Sequence, residues 1–321
     1  MLKHEFGGAW TEQKLACLRK YLTAYTTIFH SNKRARTLRP IYVDAFAGMG
    51  YRSEAPAPSG PTLFDEPAEP DADQFLKGSV RIVLEVEPPF REYVLIEKDP
   101  LRAQQLGVLK DEYPNRAAAI RVLVGDANEQ LQNWVAHTNW GRSRAVVFLD
   151  PYGMQVDWPV VELMAGTQAI DLWILFPLGA AVNRLLTRRA PPPPAWAERL
   201  TRFFGTDAWQ AAFYPQRSQD TLFGIETTES KAADWEIIGQ FFLDRLKTVF
   251  YGIVDHPLVL YNSRSNPIYL FCFAAGNPKG AATAVRIAQE VINSLSEGAP
   301  YGRPRIVEDG ADYATGASQP G

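Results

Sequence analysis

Five short apolar runs, at residues 40–46, 93–97, 120–126, 145–150 and 170–176, recur along the chain with helix-length segments between them. A run that is apolar at most positions, rather than at alternate ones, suits a strand buried on both faces. Connectors of this length suit the right-handed crossovers that join parallel strands. The repetition predicts an α/β protein built on a doubly wound, mostly parallel sheet.

The flanking segments extend this plan. Residues 11–30 place Leu15, Leu18, Leu22 and Tyr25, then Ile28 or Phe29, three and four positions apart, which predicts an amphipathic helix ahead of the first strand. Residues 51–76 are rich in proline and acids and predict a loop excursion. Further helices are expected at 79–87, 99–112, 127–137 and 157–166. Residues 177–229 break the alternation with Arg188, Arg189 and the prolines at 191–194. Short aromatic helical pieces around Trp196 and Phe213 follow, and the whole reads as a helical insertion capping the core. A long helix is expected at 230–250. Two apolar strands at 256–262 and 267–275 are joined by a turn rich in Asn and Ser, too short for a parallel crossover, so the last strand should be antiparallel. A final helix at 278–295 precedes a Gly-rich tail. The expected organisation is a helical segment at 1–39, a main core at 40–176, the insertion at 177–229, the rest of the core at 230–298 and a tail at 299–321.

Composition bounds the partners. The 321 residues are 46% hydrophobic and 21% charged, ordinary for a globular chain with a large core. Lys and Arg number 33 against 36 Asp and Glu, so no global basic field draws polyanions, and any nucleic-acid surface is local. Cys17 and Cys272 lie far apart without CxxC spacing, which argues against a disulfide framework or a zinc site and fits a reducing cytoplasm. His30, His137 and His256 show no metal-ligand spacing. No apolar run approaches the roughly 20 residues a bilayer crossing needs, so a soluble, cytoplasmic protein with no membrane partner is expected.

Ligands of open α/β sheets sit beyond the carboxyl ends of the strands, and here each end carries chemistry. The first strand runs into Asp44, Ala45, Phe46, Ala47, Gly48, Met49 and Gly50, whose glycines let backbone N–H groups approach a ligand. The second ends in Glu97, a carboxylate able to accept both hydroxyls of a ribose. The third ends in Gly125, Asp126 and Ala127, where Asp126 suits an adenine amino group. The fourth ends in Asp150, Pro151, Tyr152 and Gly153: a carboxylate, a restrained backbone with free carbonyls, and an aromatic face. That set can hold a planar amine and aim its lone pair at an electrophile. Taken singly, each acid also fits a solvated helix N-terminus. Their ordered recurrence points instead to a nucleoside ligand. Dinucleotide binding is a lesser alternative, because no third glycine of a GxGxxG pattern opens the next helix.

YVDAFAGMG at 42–50 and FLDPYG at 148–153, in this order on a seven-stranded plan, resemble motifs one and four of the class I S-adenosylmethionine-dependent methyltransferases, especially the amino-methyltransferases. The N-terminal helix leading into VDAFAGMG, Gly78 and Ser79 opening a helix, VLIEKDP at 94–100 and FLDPYG further resemble the three-Cys-motif partner protein (TcmP) family. Its members are thought to act beside a radical-SAM-like protein bearing three cysteines. The resemblance implies a Rossmann-like class I methyltransferase fold with a seven-stranded, mostly parallel sheet and an antiparallel last strand. It implies Asp44, Phe46, Gly48 and Gly50 around the methionine end of S-adenosylmethionine, Glu97 at the ribose, and Asp126 and Ala127 at the adenine. Asp150, Pro151 and Tyr152 would be the catalytic set at the acceptor amine. Motif four carries its aromatic ring third rather than fourth, and in this resembles the tRNA guanine-N2 dimethyltransferases. The excursion at 51–76 separates motif one from its helix and reads as a lid.

Lys33, Arg34, Arg36 and Arg39 before the first strand, with Arg184, Arg188 and Arg189 in the insertion, fit either a phosphate track or ordinary solvated faces. The aromatic run Trp196, Phe203, Phe204, Trp209, Phe213 and Tyr214 fits a cap core better than a base-stacking platform. Two functions stay open: a methyltransferase acting on an exocyclic amine of DNA or RNA, and a non-catalytic methyltransferase-like scaffold for the three-cysteine protein. Retention of Asp150, Pro151 and Tyr152 favours the enzyme. A nuclease lacks the acidic cluster that two metals need.

Overall fold

In the computed structural model the described residues are 9–48, 79–151, 153–188, 190–221, 224–262 and 264–296. Gly50, Tyr152, Arg189, the excursion at 51–76 and the tail at 299–321 lie outside them.

Helix α1 (Ala9–Ser31) precedes strand β1 (Arg39–Asp44). Helix α2 (79–84) leads to β2 (Glu92–Glu97), then α3 (Pro100–Gly107), α4 (Leu109–Glu112) and β3 (Ile120–Val124). Next come α5 (Ala127–His137), β4 (Ser143–Leu149), α6 (Trp158–Gly166) and β5 (Ile170–Phe176). Strands β1, β2, β4 and β5 are almost wholly buried, as their unbroken apolar sequences predict, whereas the edge strand β3 buries only Ile120. After β5 the insertion holds a π-turn at Leu178–Val182, α7 (Asn183–Leu185), α8 (Pro194–Phe204), α9 (Trp209–Phe213) and a hairpin of β6 (Gln216–Thr221) and β7 (Gly224–Glu229). The chain returns through α10 (Trp235–Lys247), β8 (Gly252–Ile253), β9 (Leu258–Tyr261), β10 (Pro267–Ala275) and α11 (Ala281–Ser296).

The main sheet runs β3-β2-β1-β4-β5-β10, with β8 and β9 both paired to the outer side of β10. Strands β1 to β5 are mutually parallel, while β10 is antiparallel to β5, β8 and β9. The strand order reverses at β1 and β4, the switch point where such sheets bind ligands. Eight strands thus fill seven positions, because the outermost is broken in two. Val254 N–H still donates to Phe273 C=O at 3.1 Å. Asp255, His256 and Pro257 then interrupt the ladder, the proline having no N–H to give. The fold class expected from the sequence, Rossmann-like with an antiparallel last strand, an N-terminal helix and a helical insertion, is the one observed.

Two apolar layers cover the sheet. On one side α1 presses Cys17, Leu18, Tyr21, Leu22 and Tyr25 against Tyr42, Tyr93 and Phe148, joined by α2 and α11. On the other, α5, α6, α8 and α10 cover Val43, Val147, Ile174 and Phe176. The insertion's aromatics are core: Phe176 stacks on Phe242 at 4.2 Å, and Phe203 and Phe204 close around them. The β6–β7 ribbon is an addition to the expected helical pieces. Its strands, QRSQDT and GIETTE, lack the apolar alternation by which a strand is recognised in sequence.

Candidate active site

Parallel pairing brings the ends of β1 to β4 to one edge of the sheet. Backbone bonds tie the turns beyond them together: Ala45 N–H reaches Phe148 C=O at 3.1 Å, Ala47 N–H reaches Ile96 C=O at 2.9 Å, and Gly125 N–H reaches Glu97 C=O at 3.0 Å. The turn after β1 is thereby fixed between β2 and β4.

Asp44 is buried at the tip of β1, accepting from Phe46 N–H at 3.2 Å. Burial pushes its carboxyl up to about 7, against the opposing pull of that amide and of Lys14. Glu97 is also buried, and its Oε1 accepts from Asp99 N–H at 2.7 Å. Its Oε2 has no hydrogen-bond partner among the described residues. Gly48 lies directly against that oxygen, since a Cβ built there would fall 2.1 Å from Glu97 Oε2. A buried carboxylate oxygen without a partner is costly unless a ligand satisfies it, and the missing side chain at Gly48 is what lets the carboxylate lie there. These residues fit a ribose hydroxyl.

Asp126 caps α5 through Asn128 N–H at 3.0 Å and faces Lys98 across the strand tips at 3.7 Å. Asn128 uses its whole amide: it donates to Gln155 C=O at 2.8 Å and to Asp126, and accepts from Asp157 N–H at 2.9 Å. It staples the start of α5 to the segment beyond β4. These groups line a cleft of about 600 Å³ whose floor is Ala45, Phe46 and Ile96 and whose rim holds Asp126, Ala127, Met154 and Gln155. Helix α8 of the insertion forms its far wall with Ala195, Arg199 and Arg202.

The structure brings Phe46, Asp126 and Ala127 into this cleft and sets Glu97 and Gly48 together behind it. Asp150 faces the other way, toward α1. There Lys14 Nζ meets Asp150 Oδ2 at 2.8 Å, with Lys14 only 1% exposed. The ammonium lies 5.3 Å from the Trp10 ring and 6.0 Å from that of Phe148. Burial lowers the Lys14 pKa and the Asp150 charge partly restores it. Pro151 is buried at the head of the turn, while Gly50 and Tyr152 are outside the described residues.

Sequence reasoning missed Lys14 and Asn128. Lys14 had a signal: it stands four and seven residues before Leu18 and Tyr21, in register with the apolar stripe, where a lysine is buried only if paired. Asn128 had none, because its partners come from another loop.

No protein-family model and no curated protein matches the chain. Among solved structures it resembles protein LPL1258 of Legionella pneumophila, of the family DUF519, with a TM-score of 0.43 and 12% identity over 91% of this chain and 94% of that one. It also resembles the N-terminal domain of EvdMO1, determined in the presence of SAH and D-fucose, with a TM-score of 0.33 and 8% identity over 85% and 84% of the two chains. Neither likeness bears on mechanism. The strand order with its antiparallel β10 decides the fold. The chain has a methyltransferase-like α/β fold. No helix among the described residues is long and apolar enough to cross a membrane.

Proposed function

We propose that the protein is an S-adenosylmethionine-dependent methyltransferase acting on an exocyclic amine of a nucleic acid, in company with a three-cysteine radical-SAM-like protein. The observation that carries the cofactor half is the buried Glu97 Oε2, without a partner among the described residues and against the side-chain-free Gly48, beside a cleft edged by Asp126 and Ala127. Bound S-adenosylmethionine supplies a methyl already activated on a sulfonium. The chain then needs to bind, orient and exclude water, so alignment supplies most of the rate. Glu97 accepts from the ribose, Asp126 and Ala127 flank the adenine, and Phe46 closes the floor. Asp44, Gly48 and Gly50 surround the methionine end. Asp150 and the Pro151 carbonyl accept from the acceptor NH2, leaving its lone pair outward, and Tyr152 stacks on the ring that bears it.

The scaffold alternative draws on one observation: Lys14 already engages one Asp150 oxygen. Calorimetry with S-adenosylhomocysteine, followed by transfer of tritiated methyl groups to DNA and RNA pools with and without the companion protein, separates the two. Binding with Asp150-dependent incorporation is expected. Binding without incorporation under any condition leaves the scaffold; absence of binding removes both cofactor and enzyme.

A further inference from the structure

Lys14 is an expensive residue to bury. An ammonium taken out of water loses several kcal/mol of hydration, and a single ion pair often fails to recover it. Were its purpose to fasten α1 to the sheet, apolar packing would serve better. That fastening exists without it: the Tyr21 hydroxyl, two turns further along the same face of α1, donates to buried Asp171 Oδ2 at 3.0 Å. Tyr21 also packs on Trp173 and Phe273 at 5.3 and 4.8 Å. The helix is held in register by contacts in the first half of β5, at Asp171 and Trp173, whereas Lys14 reaches the tip of β4, where the acceptor would sit.

Resting on the methyltransferase reading above, we propose that Lys14 is a positioning residue for the reaction: it fixes Asp150 by one oxygen, so that the other faces the acceptor amine, and thereby makes α1 part of the acceptor site. Asp150 Oδ2 is committed to Nζ. Phe148 and Trp10 restrict where the ammonium can lie. A second carboxylate, Asp44, lies within electrostatic reach of the same lysine, so Lys14 also keeps two acids at adjacent strand tips from repelling one another. Loss of the ammonium would release Asp150 to rotate and would misplace the amine without altering the cleft at Phe46 and Asp126, which neither Lys14 nor Asp150 lines.

The test compares the full-length wild type with Lys14→Met, Lys14→Arg and Tyr21→Phe. Each is measured for thermal stability, S-adenosylhomocysteine affinity by calorimetry, and tritiated-methyl incorporation into the DNA or RNA pool that the wild type modifies best. Lys14→Met is expected to remain folded, to hold the cofactor product within threefold of wild type, and to lose at least thirtyfold in kcat with KM for the pool changed less than threefold. Lys14→Arg, which restores the charge, should recover part of kcat. Tyr21→Phe should lower stability yet keep kcat, because it touches only the fastening. Full kcat in folded Lys14→Met, or equal defects in Lys14→Met and Tyr21→Phe, overturns the inference while leaving the methyltransferase reading intact. If Lys14→Met does not fold, the Arg variant decides: at wild-type stability, a kcat unchanged within twofold overturns the inference and a partial loss at constant KM supports it. Failure of the wild type to methylate either pool removes both.

Discussion

Gly48 and the Glu97 carboxylate exclude any side chain between them: a Cβ on residue 48 would stand 2.1 Å from Glu97 Oε2. No real Cβ contact is that short, so even the smallest substitution displaces the carboxylate or the turn after β1. Gly48→Ala should therefore weaken S-adenosylhomocysteine binding by tenfold or more. Glu97→Ala, which removes the acceptor while leaving the turn, should cost about 1.5–3 kcal/mol of binding, the scale of hydrogen bonds to a charged group. Calorimetry on both variants checks this, and unchanged affinity in Glu97→Ala would remove the ribose assignment.

Asn128 joins α5 to the segment beyond β4 through two side-chain bonds, to Gln155 C=O and from Asp157 N–H. Asn128→Ala leaves Gln155 C=O and Asp157 N–H to find water, and stability should fall by about 1–3 kcal/mol in denaturant titration. Because the cleft rim moves with those two residues, affinity for S-adenosylhomocysteine should fall as well. A stability loss with wild-type affinity would detach the rim from ligand binding.

Asp171, buried beneath Tyr21, gives the clearest pH dependence. Burial raises its carboxyl to about 7, although the Tyr21 hydroxyl and Gly276 N–H pull it down. A free carboxyl titrates near 3.8, so the folded state holds the proton more tightly than the unfolded chain. The stability this provides is complete below about pH 4 and is lost as pH rises to about 7. Relative to Asp171→Asn, the wild type should lose up to about 1.4 kcal/mol per pH unit across that window and nothing further above it. A difference between the two proteins that stays constant from pH 4 to pH 8 would contradict the assignment.

Gly205 ends α8 with φ +68°, and a Cβ there would meet Trp158 Cδ1 at 2.0 Å. Gly205→Ala should destabilise the protein by about 1–2 kcal/mol for the left-handed backbone alone, with displacement of the buried indole in addition. Equilibrium denaturation reads the loss, and a near-UV circular dichroism change should accompany it.

The sheet was legible because its strands are apolar at nearly every position, and that pattern survives any tertiary context. Helix α5 was legible at its start because Asp126 announces its cap. The β6–β7 ribbon was not, since its polar strands pair mainly through backbone groups common to all sequences. At the site, the acids at the strand tips could be read from order alone, but their orientations could not. Asp150 was read with the others as part of one ligand-facing row; the structure turns it toward Lys14, 136 residues earlier, a relationship no local pattern encodes.

The interrupted outer position of the sheet also bears on how the molecule behaves in a crowd. A long, straight, unpaired strand edge invites the strands of other molecules to add to it, the first step toward aggregation. Here the outer row is cut after Val254 by Asp255, His256 and Pro257, and Asp255 is held by Lys247 at 3.1 Å. A proline beside a charged pair leaves only two short, offset stretches, too brief to template a growing fibril. The break that makes eight strands of seven positions therefore acts as a guard on the flank of the protein where β10 would otherwise hand its pairing pattern on to a neighbour.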